Sequence, residues 1–205
     1  MRSIATRWRA RAVKTLELTP GVVVLDVACG TGVNLPLLQR YLHGSGRIIA
    51  TDYSDAMLRR AVARTQKQGW LNIDCVQADA ARLDRRELEK ARALEPGQHI
   101  DAAICTFGLS VIPDWEMAYA ALRSLVRPGG RLAIMDVNSP QGCGSGTKRY
   151  LLRLLWRFLC WLGRADANRK PWLSLAHDLQ DVVEETFSSG FVVVASGTVP
   201  PTGES

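Results

Sequence analysis

The sequence predicts a single α/β domain built on a doubly wound, mostly parallel sheet. Strand-like and helix-like segments alternate along residues 22–137. The first β-branched run, 22–27, ends in small residues and a Gly-x-Gly turn at Gly30 and Gly32, and a helix then begins. A second run ends in Asp52, twenty residues beyond Gly32. Repeated strand–helix–strand order implies parallel strands joined by right-handed crossovers.

The elements are predicted from apolar periodicity and from Gly, Pro and Ser punctuation. The predicted strands cover residues 22–27, 47–52, 73–78, 101–107, 131–137 and 191–196. The predicted helices cover residues 34–41, 55–68, 82–94, 114–125 and 148–163, and an amphipathic helix precedes them within residues 4–16. A seventh strand is not evident.

Length and composition limit the protein class. The 205 residues divide into a basic amino-terminal helix (1–20), a core (21–137), a substrate-facing segment (138–190), and a last strand with a tail (191–205). Five cysteines without a C-x-x-C pair indicate reduced thiols, and three scattered histidines give no metal-ligand spacing. We therefore expect no bound metal. Neither a signal peptide nor an apolar run long enough to span a membrane is present, so we expect a cytoplasmic protein.

The net charge of +6 is unevenly distributed. Residues 1–20 carry +4 and residues 147–172 carry +6, which leaves −4 on the remainder. Two basic segments on a mildly acidic domain indicate an anionic partner, such as a membrane surface. The first helix has a second interpretation, because its apolar residues also fit ordinary packing on the sheet.

The glycine turn admits two cofactors. A dinucleotide site requires a third glycine, but Leu35 stands at that position, which weakens an NAD-type interpretation. The run from Asp26 to Gly32 (DVACGTG) resembles the first motif of class I S-adenosylmethionine (SAM) methyltransferases. The segments ATDYS-DAML, QADA, DAAICTFGL and LVRPGGRL follow in that family's order and spacing. This resemblance implies a Rossmann-like fold, SAM as the cofactor and methyl transfer as the activity.

Asp52 is the best-supported cofactor contact from spacing alone. An acid at the carboxyl end of the second parallel strand can accept both ribose hydroxyls of an adenosyl ligand. Tyr53 and Met57 can pack on the adenine, although core packing is an alternative. The resemblance implies that Asp79 accepts the adenine amine. The remaining predicted cofactor residues are Asp26, Ala28, Gly30, Thr31, Gly32, Asn34, Ala80 and Thr106.

Substrate choice is expected from residues 138–172, which follow the fifth strand. A small-residue loop at 138–146 precedes KRYLLRLLWRFLCWLG, where Arg149, Arg153 and Arg157 repeat every four residues. Such a helix can lie on an anionic membrane surface with its apolar residues buried; packing within the protein or against a second subunit is the alternative. The motif pattern after the fourth strand lacks the run typical of base-amine methylation, so no nucleic-acid partner is expected.

The finer details GTGVN, FGLSVIPDW and RKPW resemble phospholipid N-methyltransferases, betaine-lipid methyltransferases and ubiquinone–menaquinone methyltransferases. We therefore expect methylation of a lipid amine headgroup such as phosphatidylethanolamine, with Arg149 and Arg153 at the phosphate. An ammonium acceptor must lose a proton, and Tyr150, Asp136 and His177 are the candidate bases. The alternatives are a C- or O-methyltransferase of a quinone or small aromatic molecule, an NAD-type oxidoreductase, and an inactive SAM-binding protein. The oligomeric state stays open.

One departure from the resembled group concerns the segment before the first strand. Related enzymes usually carry tyrosines there that cover the SAM pocket, but none of the four tyrosines of this chain lies there. Either a short arm or another part of the chain is therefore expected to close the site.

Overall fold

A computed structural model describes residues 4–139 and 165–201 of the chain. The strands are β1 (Val23–Val27), β2 (Arg47–Asp52), β3 (Ile73–Gln77), β4 (Ile100–Thr106), β5 (Val126–Val137), β6 (Gln180–Phe187) and β7 (Val192–Thr198). The helices are α1 (Ile4–Lys14), α2 (Leu35–Leu42), α3 (Asp55–Gln68), α4 (Arg85–Lys90), α5 (Trp115–Leu125) and α6 (Pro171–Asp178). The segment predicted as a helix at 148–163 lies outside the described residues.

The strands form one sheet in the order β3-β2-β1-β4-β5-β7-β6. β1 to β5 are parallel, and β7 runs antiparallel to both of its neighbours. This confirms the predicted doubly wound, mostly parallel sheet. The strand order reverses between β1 and β4, and the crevice at such a switch point is where open α/β sheets bind ligands. We call the side of the sheet where β1 to β5 end the carboxyl edge.

The helices cover both faces of the sheet. One apolar layer joins the sheet to α1, α2 and α3, and the other joins it to α4, α5 and α6. The side chains of β1 alternate between the two layers, as a strand buried on both faces requires. Asp26 follows this alternation, so its side chain faces the layer that contains α1.

The prediction missed strand β6. Its sequence QDVVEETF carries three acids and lies at the edge of the sheet, where one face of the strand reaches solvent. Charged side chains on an edge strand discourage pairing with other chains, but they also mask the strand signal. β6 is defined by its antiparallel pairing with β7, for example Phe187 with Val192, which the local sequence does not reveal.

Two predicted boundaries are also wrong. The helix predicted at 82–94 contains only α4, which Asp84 caps by accepting a hydrogen bond from the Glu87 amide. Arg92 then adopts a positive φ of 58°, a conformation incompatible with a continuing helix. The strand predicted at 131–137 begins earlier, because Val126 already pairs with Ile100 before a shift in register.

Helix α1 packs on the sheet, as the packing alternative predicts. Ala12, Val13 and Leu16 are buried against the layer shared with α2 and α3. Arg11 forms a two-pronged salt bridge with Glu185 of β6, through Nε at 2.9 and 2.7 Å and through Nη2. In the described ranges, no helix is long and apolar enough to cross a membrane.

Candidate functional site

The turn after β1 brings backbone close to the space above the carboxyl edge. Gly30 and Gly32 have φ values of 57° and 70°, and Ala28 shares this left-handed conformation at 53°. A Cβ on Gly32 would lie 2.6 Å from Leu35 Cδ1 and 3.2 Å from the Ala61 Cβ. Glycine at position 32 therefore lets the turn pack closely on α2 and α3 while it adopts a left-handed conformation.

Asp52, at the end of the neighbouring strand β2, holds this turn by a hydrogen bond. Its Oδ2 accepts a hydrogen bond from the Gly30 amide and its Oδ1 accepts one from the Ser54 amide, both at 2.8 Å. Each carboxylate oxygen keeps a free lone pair, so the group can still accept two hydroxyls of a ribose. Tyr53 is 75% exposed and Met57 is partly exposed beside it, so neither is used as core. Their exposure supports the predicted role at the adenine face and disfavours the core alternative.

The end of β3 supplies the third predicted contact. Asp79 accepts a hydrogen bond from the Ala81 amide at 3.0 Å, so the chain turns tightly around its carboxylate. Asp79 and Ala80 are both partly exposed. Since β3 neighbours β2 in the sheet, this turn lies beside Asp52 at the same edge. The positions match an adenine site that is adjacent to a ribose site.

A buried polar cluster lies between β1 and β4, under the glycine turn. The Asn34 amide donates to Asp26 Oδ1 at 2.8 Å and to Thr106 Oγ1 at 3.0 Å. Arg9 of α1 donates through Nη1 to Asn34 Oδ1 at 3.0 Å and to Thr106 Oγ1. Its guanidinium also lies 5.2 Å from the centre of the Phe107 ring, within cation–π range.

Asp26 is the electrostatic centre of this cluster. Its side chain is fully buried, and burial raises the pKa of its carboxyl to about 7, against the opposing effects of the Asn34 amide and the Arg9 charge. Asp26 Oδ2 has no hydrogen-bond partner in the described part of the chain. A buried oxygen without a partner is costly, so a donor group that reached this atom from a ligand would stabilise the cluster.

The loop after β4 forms the next wall of the site. Phe107 has a φ of 57°, and a Cβ on Gly108 would lie 2.8 Å from the Ala28 Cβ. The loop is tied down by Asp136 of β5, whose Oδ2 accepts a hydrogen bond from the Ser110 amide at 2.8 Å. Such backbone strain near a switch point is typical of ligand sites.

The structure does not support Asp136 as a general base. Its side chain is fully buried, and its second oxygen accepts a hydrogen bond from the Val137 amide at 2.8 Å. Burial raises the pKa of this carboxyl, but its two oxygens are engaged by backbone amides and face no open space. Asp136 therefore holds the loop after β4.

His177 is not brought to the site. It lies in the last turn of α6, just before β6 begins at Gln180. Gln180 pairs with Thr198, and Thr198 pairs with Arg131, near the start of the parallel run of β5. The end of α6 therefore lies at the edge of the sheet opposite Asp26 and Asp52. The side chain is 88% exposed and its Nδ1 contacts Asp178 at 2.8 Å, so position excludes it as a base. Tyr150, Arg149 and Arg153 lie outside the described residues.

Sequence reasoning missed Arg9. Arg9 enters the sequence analysis only in the charge of residues 1–20, but it falls in the stripe of Ala5, Ala12 and Leu16 at steps of four, three and four residues. That spacing places it on the buried side of α1. An arginine in an otherwise apolar stripe was the available signal.

These residues fit the adenosyl and amino-acid parts of SAM. Gly32 provides the low backbone, Asp52 and Asp79 provide acceptors, and the unpartnered Asp26 Oδ2 provides a buried anionic position at the β1 end of the crevice. Fold and site together define a class I SAM-dependent methyltransferase.

The comparisons with known proteins identify the family. The methyltransferase domain family matches residues 24–130, so the chain belongs to it. A 2-phytyl-1,4-naphtoquinone methyltransferase of Synechococcus elongatus is 34% identical over 134 residues, which is 65% of this chain and 53% of that protein. The ubiquinone/menaquinone biosynthesis C-methyltransferase UbiE of Teredinibacter turnerae is 30% identical over 135 residues, 65% of this chain and 50% of UbiE.

The solved structures agree on the fold. A SAM-dependent methyltransferase from Aquifex aeolicus has a TM-score of 0.61 at 17% identity, over 93% of this chain and 89% of that one. Family membership decides for SAM and against the dinucleotide alternative. The chain spans about half the length of the two relatives named above.

Proposed function

We propose that this protein transfers a methyl group from SAM to a quinone-type ring carried by a lipophilic molecule. SAM as the methyl donor is supported by four features that lie at one edge of the sheet: Gly32, Asp52, Asp79 and the unpartnered Asp26 oxygen. A quinone-type ring as the methyl acceptor is supported by the sequence relatives, which are named as quinone methyltransferases. They match the alternative acceptor of the sequence analysis.

The protein's contribution to such a reaction is positioning. SAM supplies an electrophilic methyl group on its sulfonium, so no protein nucleophile is needed. Asp52 fixes the ribose, the turn at Gly32 lets the donor approach the backbone, and the β4 loop forms the acceptor side. Holding donor and acceptor in line and excluding water is worth several orders of magnitude in rate.

The described acceptor wall is apolar. Phe107 is partly exposed at the end of β4, and Val111 and Val33 expose aliphatic side chains on the loops at this edge. An aromatic ring can pack edge-to-face or offset on Phe107, and aliphatic residues complete the contact. This composition favours a flat, weakly polar acceptor.

A lipid amine headgroup is the second candidate acceptor. It rests on the arginine repeat of residues 149–157 in the sequence, because guanidinium groups bind phosphate. Described residues on either side of that segment are joined to each other and to the loop after β4: the Ser139 amide donates to the Ala167 carbonyl at 2.9 Å, and the Asp166 amide donates to the Ser110 carbonyl at 2.8 Å.

The test incubates the protein with methyl-labelled SAM and each of two acceptors, a reduced demethylated naphthoquinone with an isoprenoid tail and vesicles of phosphatidylethanolamine. Label in the quinone supports the proposal, and label in the headgroup alone would replace it by the second candidate. Asp52→Ala should abolish transfer, while Asp55→Ala, an exposed acid at the start of α3, should retain it. SAM binding without label in either lipid would contradict both acceptors.

A further inference from the structure

We propose that Arg9 of α1 binds the α-carboxylate of the donor, which makes the helix before the first strand part of the donor site. This inference rests on the proposed use of SAM and adds a residue that neither the motif pattern nor the matched family range of 24–130 includes. It assigns the amino-acid end of the donor to the cluster of Arg9, Asp26, Asn34 and Thr106.

The first argument is the direction of the guanidinium. Both hydrogen bonds of Arg9 use Nη1, to Asn34 and to Thr106. Within residues 4–139 and 165–201, the edge formed by Nε and Nη2 makes no hydrogen bond. That edge presents two parallel N–H groups, which is the geometry that binds a carboxylate in a bidentate manner. The Nη1 bonds and the Phe107 ring fix its orientation in advance.

The second argument is location. Thr106 ends β4 and Asn34 directly precedes α2, so Arg9 contacts both sides of the switch point between β1 and β4. Asp52 and Asp79 lie on the β2 and β3 side of the same edge. A ligand with its adenine at Asp79 and its ribose at Asp52 extends toward Arg9 with its remaining end, which in SAM is the amino acid.

The third argument is charge. Burial lowers the pKa of the Arg9 guanidinium, so the side chain is desolvated. Asp26 is the nearest carboxylate in the described cluster, and its Oδ1 is taken by Asn34 while its Oδ2 has no partner. An α-amino acid carries one cation and one anion on the same carbon. Its carboxylate complements Arg9, and its ammonium complements the free oxygen of Asp26.

The competing explanation is purely structural, with Arg9 serving only to offset the buried Asp26 charge. In that case, replacing Arg9 would disturb the cluster for every ligand that enters the pocket. If Arg9 binds the carboxylate, its replacement would matter only for ligands that have one. A pair of ligands that differ in this single group separates the two explanations.

The experiment measures binding by titration calorimetry with S-adenosylhomocysteine (SAH) and with its decarboxylated analogue, adenosyl thiopropylamine, which keeps the ammonium. We expect Arg9→Gln to weaken SAH binding about 10- to 100-fold, the range of a charge-assisted contact, and to change binding of the analogue less than about threefold. Arg7→Gln is the matched control, because Arg7 is exposed on the same helix, and it should leave both affinities unchanged.

Equal weakening of both ligands by Arg9→Gln, or no weakening of either, overturns the proposal. The unfolding midpoint of each variant is measured alongside, and Arg9→Lys provides a second test that preserves the charge. Lysine keeps the charge but lacks the two-pronged edge. The SAH affinity of Arg9→Lys should therefore lie between those of the wild type and Arg9→Gln, and its affinity for the analogue should match both. If the wild-type protein bound neither ligand, the proposed function itself would fail, whereas loss confined to the carboxylate leaves it intact.

Discussion

At the scale of single residues, the site depends on backbone conformations that most side chains avoid. Ala28 and Phe107 have positive φ at the ends of the two central strands, and Gly108 between them leaves no space for a Cβ. Each such non-glycine residue costs on the order of 1–3 kcal/mol. The strain lies where β1 and β4 diverge, so it shapes the surface on which the donor is expected to rest.

Gly32→Ala tests whether close packing of the turn on α2 and α3 is needed for donor binding. The new Cβ would clash with Leu35 and meet Ala61, in addition to the strain of a φ of 70°. We expect SAH affinity to fall at least tenfold and the unfolding free energy to fall by about 1–3 kcal/mol. Gly97→Ala is the control, since Gly97 has a φ of 79° with open space around it. It should lose stability through strain alone and bind SAH normally; a binding loss equal to that of Gly32→Ala would contradict a local role.

At the scale of elements, Asp136 connects β5 to the loop after β4. In Asp136→Ala the amides of Ser110 and Val137 lose their partner, which costs about 1–3 kcal/mol for a buried donor. We expect reduced unfolding free energy in denaturant and a raised KM for the acceptor, because the loop that carries Phe107 loosens. Asp114→Ala, on the same connection without a side-chain cap bond, should behave as wild type.

A general base would give a different result. Asp136→Ala would then lose turnover at saturating acceptor, in addition to the loss of stability that follows from the broken hydrogen bonds. His177→Ala should leave both KM and turnover unchanged, because the side chain lies at the opposite edge of the sheet.

The elements also show why some features were predictable and others were not. The carboxyl ends of parallel strands meet at one edge, so the role of Asp52 could be predicted from its position after β2. The role of Asp79 came only from the resemblance to the methyltransferase motifs. β6 was missed because its strand character comes from pairing with β7. Arg9 was missed because it was counted only in the charge of residues 1–20, although the local periodicity places it with the apolar residues of α1.

At the scale of the whole molecule, fewer cations of the first basic segment are exposed than the sequence suggests. In the first basic segment, Arg9 turns into the site and Arg11 pairs with Glu185, while Arg7 and Lys14 stay exposed. If the protein binds an anionic surface, we expect the positive charge of residues 147–172 to contribute most of the attraction.

Flotation with anionic vesicles tests this distribution. Each cation near an anionic leaflet contributes about 1 kcal/mol, so replacing Arg149, Arg153 and Arg157 by Glu should abolish co-flotation. Replacing Arg7 and Lys14 by Glu is the matched control and should reduce it only slightly. Equal flotation of the triple variant and the wild type would contradict a membrane role for the segment.

The buried carboxyl of Asp26 also makes the free energy of unfolding depend on pH. Its pKa is 3.8 in the unfolded reference and about 7 in the folded chain, so the folded state retains a proton that the unfolded chain releases. Stability should therefore decrease as pH rises from about 4 to 7, and Asp26→Asn should flatten this dependence in denaturant titrations. Parallel curves for the two proteins would contradict the shift.

The same carboxyl links the donor to solution pH. A cationic group at Asp26 Oδ2 favours the ionised carboxylate, so donor binding near neutral pH should expel a proton. The heat of SAH binding should then vary with the ionisation enthalpy of the buffer, and it should not vary in Asp26→Asn. A more acidic solution would thus lower donor occupancy without any change in donor concentration.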